Sequence, residues 1–185
     1  FDVSHTDNTL GDVSWEKAES QLQTEAVQTA LKKAALEGKD VDYILAGDLL
    51  NQCISSTFGL RSLGIPFLGQ YGACSTMAQT LGLASLFVET GIARRAVAVT
   101  SSHFCSAERQ FRFPLEYGGQ RTPTAQWTAT AAGSVVVGAH GRGEVKINAV
   151  TFGRIADLGI KDANNMGAAM APAAAQTLHD YLTDT

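Results

Sequence analysis

The stretch Phe67–Gly91, FLGQYGACSTMAQTLGLASLFVETG, decides how the rest of the chain is read. FLGQY is a short apolar run that reads as a strand, and Gly72-Ala73 follows as a tight turn. From about Ser75 to Thr90 the chain reads as a long helix. Ala78, Leu81, Ala84, Ser85 and Val88 share one face of it, and Leu83, Leu86 and Phe87 share another. A helix apolar nearly all round is expected to be buried on most sides. Gly91 is placed to cap its C-terminus. Cys74 falls where the helix should begin.

Upstream, Gly64-Ile65-Pro66 ends a shorter helix, Ser55–Leu63. Before that, Val41–Gly47 (VDYILAG) is an apolar run between Asp40 and Asp48, and reads as a buried strand. Asp48–Gln52 lies just past its C-terminal end, the edge where ligands gather in an open α/β sheet. Further back, Ser14 is an N-cap candidate, with Glu16 in the first turn to complement the helix dipole. Ala18, Leu22, Ala26 and Ala30 then recur every four residues, backed by Val27 and Leu31. That spacing predicts an amphipathic helix ending near Gly38. Phe1–Asp12 is polar and turn-rich, an exposed lead-in.

Downstream, Ala96–Thr100 (AVAVT) reads as another buried strand, with Ser101, Ser102 and His103 at its C-terminal end. Phe104–Thr128 carries aromatics, three arginines, two prolines and a Gly pair, and reads as a long loop. Loops of that length serve function or an interface. Ala131–Gly138 and Glu144–Thr151 flank the turn HGRG and predict a hairpin. Asp157–Met170 reads as a linker, and Pro172 as the first residue of a last helix carrying Ala174, Leu178, Tyr181 and Leu182. Helices alternating with strands predict an α/β fold: a mixed, mostly parallel sheet with helices on both faces. The last helix has no strand after it, so a second unit is expected beyond the chain.

The 185 residues, 45% hydrophobic and 17% charged, suit a folded domain with a real core. A net charge of -4, with no basic cluster longer than Arg94-Arg95, argues against nucleic acid as a partner. Three cysteines without a CxxC pair argue against a disulfide framework and for a reducing compartment. No apolar run approaches the roughly 18 residues of a membrane span, and no signal peptide is visible. The chain opens on Phe1 rather than Met, so the native N-terminus is expected upstream.

A cysteine at a helix N-terminus has its thiolate stabilised by free N–H groups and the helix dipole. Cys74 therefore reads as a nucleophile or, equally well on position alone, as an inert thiol. Acyl transfer also needs a base and an oxyanion hole. His5 and His179 lie near the chain ends and His140 in a turn. His103 follows a strand at the functional edge, where it lines a pocket or serves a structural role. No second His or Asn completes a cysteine-based site. Ser75, Asn51, Gln52, Ser101 and Ser102 suit recognition of a small polar ligand, although each alone could serve loop backbone. Arg109, Arg112 and Arg121 could pair with an anion, but singly read as surface charges. Cys53 and Cys105 read as packing residues, and the phenylalanines of QFRF with Trp127 as core or dimer contacts. No metal site is expected.

GACSTMAQTLGLASLFVETG resembles the nucleophile turn of the thiolase and ketoacyl-synthase superfamily, and TATAAGSVVVG resembles its strand before the domain crossover. DYILAGDLLNQ, GIPFLGQYGACSTMAQTL, AVTSSHFCSAERQFRFPLEYGGQRTPTAQWTAT and DLGIKDANNMGAAMAPAAAQT resemble, more specifically, the stage V sporulation protein AD family. That resemblance covers nearly all of the chain. It implies a thiolase-like N-terminal half at 1–155, lacking its first strand, and at 156–185 a linker and the first helix of a truncated second half. It further implies binding of dipicolinic acid and support of its uptake into the developing spore. The protein would be soluble, peripheral to the spore inner membrane of a spore-forming bacterium, and would act beside other proteins of the transport complex. By resemblance Cys74 holds the nucleophile position, but the partners that true thiolases draw from their second half have no counterpart here. The resulting order is binding module, then scaffold, then Cys74-dependent acyltransferase. In the binding reading Cys74, Ser75, Asn51, Gln52, Ser102 and His103 line the ligand pocket and no cofactor is needed. The acyltransferase alternative would use a coenzyme A thioester. A homodimer is expected, because the aromatics of Phe104–Trp127 need cover.

Overall fold

Strands buried on both faces belong in the middle of a layered sheet. Ile44, Leu45 and Ala46 in one run, and Ala96, Val97, Ala98 and Val99 in another, are at most 1% exposed. The strands that carry them are β1 (Tyr43–Gly47) and β3 (Arg95–Ser102), the central pair of the sheet. A computed structural model describes residues 1–111, 128–139, 145–162 and 165–184. The other elements are α1 (Trp15–Lys33), α2 (Ile54–Leu60), β2 (Phe67–Gly69), α3 (Thr76–Glu89), α4 (Phe104–Phe111), β4 (Ala131–Gly138) and α5 (Met166–Asp184). Strand order is β2-β1-β3-β4. The first three are parallel, with Ile44 beside Phe67 and Val97, while β4 runs antiparallel to β3 with Arg95 opposite Gly138. The expected mixed, mostly parallel α/β architecture is the one observed.

Alternation along the strands sorts the core into two layers. Ile44, Ala46, Val97 and Val99 point to one face, where Val27 and Leu31 of α1 and Leu60 of α2 cover them. Leu45, Ala96 and Ala98 point to the other, under Ala84 and Val88 of α3. Each fully buried aliphatic side chain contributes about 1.5–3 kcal/mol relative to exposure.

The described residues form two compact units, 1–111 with 128–139, and 145–162 with 165–184. All four strands and α1–α4 lie in the first. Within the second, Arg154 makes a bidentate pair with Asp180 at 2.9 Å through Nη2 and 3.2 Å through Nε, joining the approach segment to α5.

Several local expectations are corrected. Ser14 does cap α1, its hydroxyl accepting from Lys17 N–H at 3.3 Å. The helix nevertheless buries Ala18, Glu19, Gln23, Val27 and Leu31, not the line through Leu22, Ala26 and Ala30. Two polar residues on the inner stripe disguise its direction. On α3 the buried line is Thr76, Thr80, Gly82, Ala84 and Val88, while Ala78 and Leu86 are exposed. Ser101 and Ser102 are the last residues of β3 rather than a loop after it. Residues 104–111 are helical rather than loop: His103 Nδ1 accepts from Cys105 N–H at 3.2 Å, and Ser106, Ala107 and Glu108 turn inward.

The hairpin does not form. β4 takes β3 as its partner, and residues 145–151 have no regular structure, with Val145 91% exposed. Pro172 lies inside α5 instead of opening it, because Asn165 caps the helix six residues earlier than Ala171, accepting from Ala168 N–H at 3.1 Å. The turn HGRG, Arg112, Arg121 and Trp127 lie outside the described residues.

Candidate functional site

Because β1, β2 and β3 are parallel, the segments leaving their C-terminal ends share one edge of the sheet. After β1, Asp48 turns back into the interior. Its carboxylate accepts from Leu50 N–H at 2.9 Å, Ser56 N–H at 2.8 Å and Ser56 Oγ at 2.6 Å. This staple curls the chain so tightly that Gln52 (φ 60°) and Cys53 (φ 52°) are left-handed without being glycine. Such residues cost on the order of 1–3 kcal/mol each and persist only where their surroundings hold them.

After β2 the chain runs into the end of β1. A Cβ on Gly47 would sit 2.1 Å from Gln70 O and 2.5 Å from Thr76 Cγ2, so only glycine admits this approach. Gln70 N–H donates to Ala46 O at 2.7 Å, and the Cys53 thiol donates to Gln70 O at 3.2 Å. Burial, reinforced by the charge of Asp48, pushes the Cys53 thiol pKa up, which makes it a poor nucleophile. Gln79 Nε2 donates to Gln70 Oε1 at 2.8 Å.

The turn itself is closed by hydroxyls. Thr76 Oγ1 accepts from Gly72 N–H at 3.2 Å and donates to Ala73 O at 2.8 Å, while Ser75 Oγ donates to Gly72 O at 2.7 Å. Ala73 is left-handed at φ 47°. Cys74 stands in the single 3-10 turn Ala73–Ser75 that leads into α3, and its side chain is exposed. Three left-handed non-glycine residues thus lie in the two segments that flank this corner.

The other candidate residues divide. Asn51 and Gln52 are exposed beside the corner, and Asn51 N–H donates to Gln110 Oε1 at 3.0 Å. A cleft of about 310 Å³ opens there, lined by Glu16, Leu50, Asn51, Ile54, Ser106, Arg109 and Gln110. Neither Cys74 nor Gln52 lines it. A larger groove of about 1760 Å³ lies elsewhere, between residues 1–10, α1 and β4. Arg109 pairs with Glu16 and lies over the Trp15 ring at 5.4 Å. Ser102 Oγ donates to Ala129 O at 2.6 Å.

His103 is fully buried, not open to a pocket. Its Nδ1 accepts from Cys105 N–H, which leaves the proton on Nε2, donating to Asn8 O at 2.8 Å. The ring stacks on Trp15 at 6.5 Å. Both ring nitrogens are therefore committed to structure, and His103 has none to offer Cys74 as a base. Thr76 was marked only by its place in the first turn after Cys74, and Gly47 and Gln70, which build the corner with it, gave no local signal in the sequence. Among the described residues no cluster could hold a metal ion, and no helix is long and apolar enough to cross a membrane.

The sequence profile of stage V sporulation protein AD matches residues 1–185. The chain belongs to the stage V sporulation protein AD family. The member from Bacillus subtilis (strain 168) is 48% identical over 184 residues, covering 100% of this chain and 54% of that protein. The chain thus spans about half the length of the curated relative it matches. Among solved structures, 3-oxoacyl-[acyl-carrier-protein] synthase III from Aquifex aeolicus VF5 is 21% identical with a TM-score of 0.51, over 69% of this chain and 40% of that one. The corresponding synthase from Thermus thermophilus is 21% identical with a TM-score of 0.50, over 68% and 38%. Likeness at that identity establishes the thiolase-like fold and nothing about catalysis.

Proposed function

We propose that the protein binds dipicolinic acid at the C-terminal edge of this sheet and supports its uptake into the developing spore. On this reading it works as a homodimer, peripheral to the spore inner membrane, beside the other proteins of a transport complex. Membership in a sporulation family supports the biological setting. The observation that carries binding over catalysis is the state of His103: the histidine at this edge is buried and spends both nitrogens on Asn8 and Cys105. A nucleophile-like cysteine to which the described residues bring no base is suited to contact rather than acyl transfer. Thr76 N–H is taken by Ala73 O, and the next N–H groups of the first turn of α3 are the donors for a carboxylate, which the chain's net acidity does not prevent because they act locally.

Equilibrium titration of dipicolinate into the full-length protein tests this, with Cys74→Ala alongside. Saturable binding weakened by the substitution supports it, and no binding by the unsubstituted protein sinks it. The exposed position of Cys74 at a helix start favours one other reading, an acyltransferase. Incubation with an acyl-coenzyme A and mass spectrometry would then find an acyl adduct on Cys74, whereas the binding reading expects none.

A further inference from the structure

Glu19 is a carboxyl group sealed inside the protein, with no cation beside it among the described residues. It is 0% exposed, between α1, the end of β3 and α4. Its Oε1 accepts from Ser101 Oγ at 2.9 Å and its Oε2 from Ser106 Oγ at 3.0 Å. One turn along α1, Gln23 is equally buried, and its Nε2 donates to Gly47 O at 3.0 Å and to the hydroxyls of Ser56 and Ser101, each at 3.1 Å. Ser101 passes a hydrogen bond on to Glu19, and Ser56 passes one to Asp48. One amide therefore bridges two carboxyl groups, while its own Oε1 accepts nothing. Two ionised carboxylates in one buried cluster repel, and each lacks the hydration that a charge requires. An acceptor left empty one turn from Glu19 is what a carboxylic O–H would serve.

We propose that Glu19 holds a proton in the folded protein, and that loss of this proton loosens the C-terminal edge of the sheet. The other ionisable groups on the elements around it supply no counter-charge. Asp48 follows β1 and is of like sign. On α1, Glu16 is engaged by Arg109 of α4, and Glu108 on α4 is another acid. His103 between β3 and α4 is turned to Asn8 and Cys105. Burial first, and the charge of Asp48 besides, raise the Glu19 pKa to about 7 against the pull of the serine hydroxyls. Glu19 ties together α1, β3 and α4, and through Gln23, Ser56 and Asp48 it reaches the strained segment that carries Asn51. Ionisation would thus act on the edge that carries the candidate site.

The sign follows from linkage. A raised pKa in the folded state gives stability that is complete below the ordinary glutamate pKa, declines as pH rises to about 7, and is flat above it. The test is denaturant unfolding of the full-length protein from pH 5 to pH 8, with Glu19→Gln as the permanently neutral isostere. The unfolding constant of the unsubstituted protein should rise roughly 30- to 100-fold relative to the variant over that range. Parallel pH profiles for the two proteins would overturn the proposal. An infrared difference spectrum of the unsubstituted protein between pH 6 and pH 8 stands even if the variant folds poorly. A buried carboxylic C=O band at pH 6 that vanishes at pH 8 is expected, and its absence at pH 6 would overturn the proposal.

Discussion

Replacing Gly47 with alanine should push the end of β1 away from the turn that presents Cys74. The added Cβ would meet Gln70 O at 2.1 Å, Thr76 Cγ2 at 2.5 Å and the Gln70 carbonyl carbon at 3.1 Å. Carbon–oxygen contacts ordinarily lie at about 3.3 Å or more, so the two segments must part by roughly 1 Å. Two of the obstacles are backbone atoms, which cannot rotate aside as a side chain can. Parting them lengthens the 2.7 Å bond from Gln70 N–H to Ala46 O beyond useful range and disturbs the 3.0 Å bond from Gln23 to Gly47 O. A lost hydrogen bond costs about 0.5–1.5 kcal/mol and overpacking a further 1–3 kcal/mol, giving about 1.5–4.5 kcal/mol in all. Urea unfolding of the full-length protein measures the total, and peptide-mapped thiol labelling of Cys74 reports on the turn. A variant within about 0.5 kcal/mol of the unsubstituted protein, with unchanged labelling, would refute the close approach.

Two further substitutions probe neighbouring contacts. Gly59→Ala would put a Cβ 2.5 Å from Ser20 O, so α2 must withdraw from α1; a loss of about 1–3 kcal/mol is expected in urea unfolding. Thr76→Val keeps the shape of the side chain but removes the hydroxyl that joins Gly72 N–H to Ala73 O, and should cost about 1–2 kcal/mol and speed labelling of Cys74.

Fold class was legible because burial on both faces leaves a plain trace: VDYILAG and AVAVT can hardly be anything but inner strands. The turn before α3 was legible too, since Gly72, the cysteine and a long apolar helix follow a short strand. Other features depend on contacts far apart in sequence. The state of His103 is decided by Asn8, 95 residues away. Gly47 matters because of what Gln70 and Thr76 bring against it, which no local pattern records. The inner stripe of α1 was misread because Glu19 and Gln23 are polar, and polar residues on an inner face look like solvent. That mistake and the buried proton site have one cause: hydroxyl partners from β3, α2 and α4 make burial of those two side chains tolerable. The hairpin was misread for the opposite reason, since Val145, Ile147 and Ala149 alternate like a strand but remain exposed.

The most direct test of ligand binding at this edge is a crystal structure of the full-length protein grown with dipicolinate. It should show the ligand against the Gly72–Thr76 turn and the Asn51–Gln52 segment, with a carboxylate facing the first N–H groups of α3 and no covalent bond to Cys74. A ligand seated away from this edge, or bonded to Cys74, would contradict it.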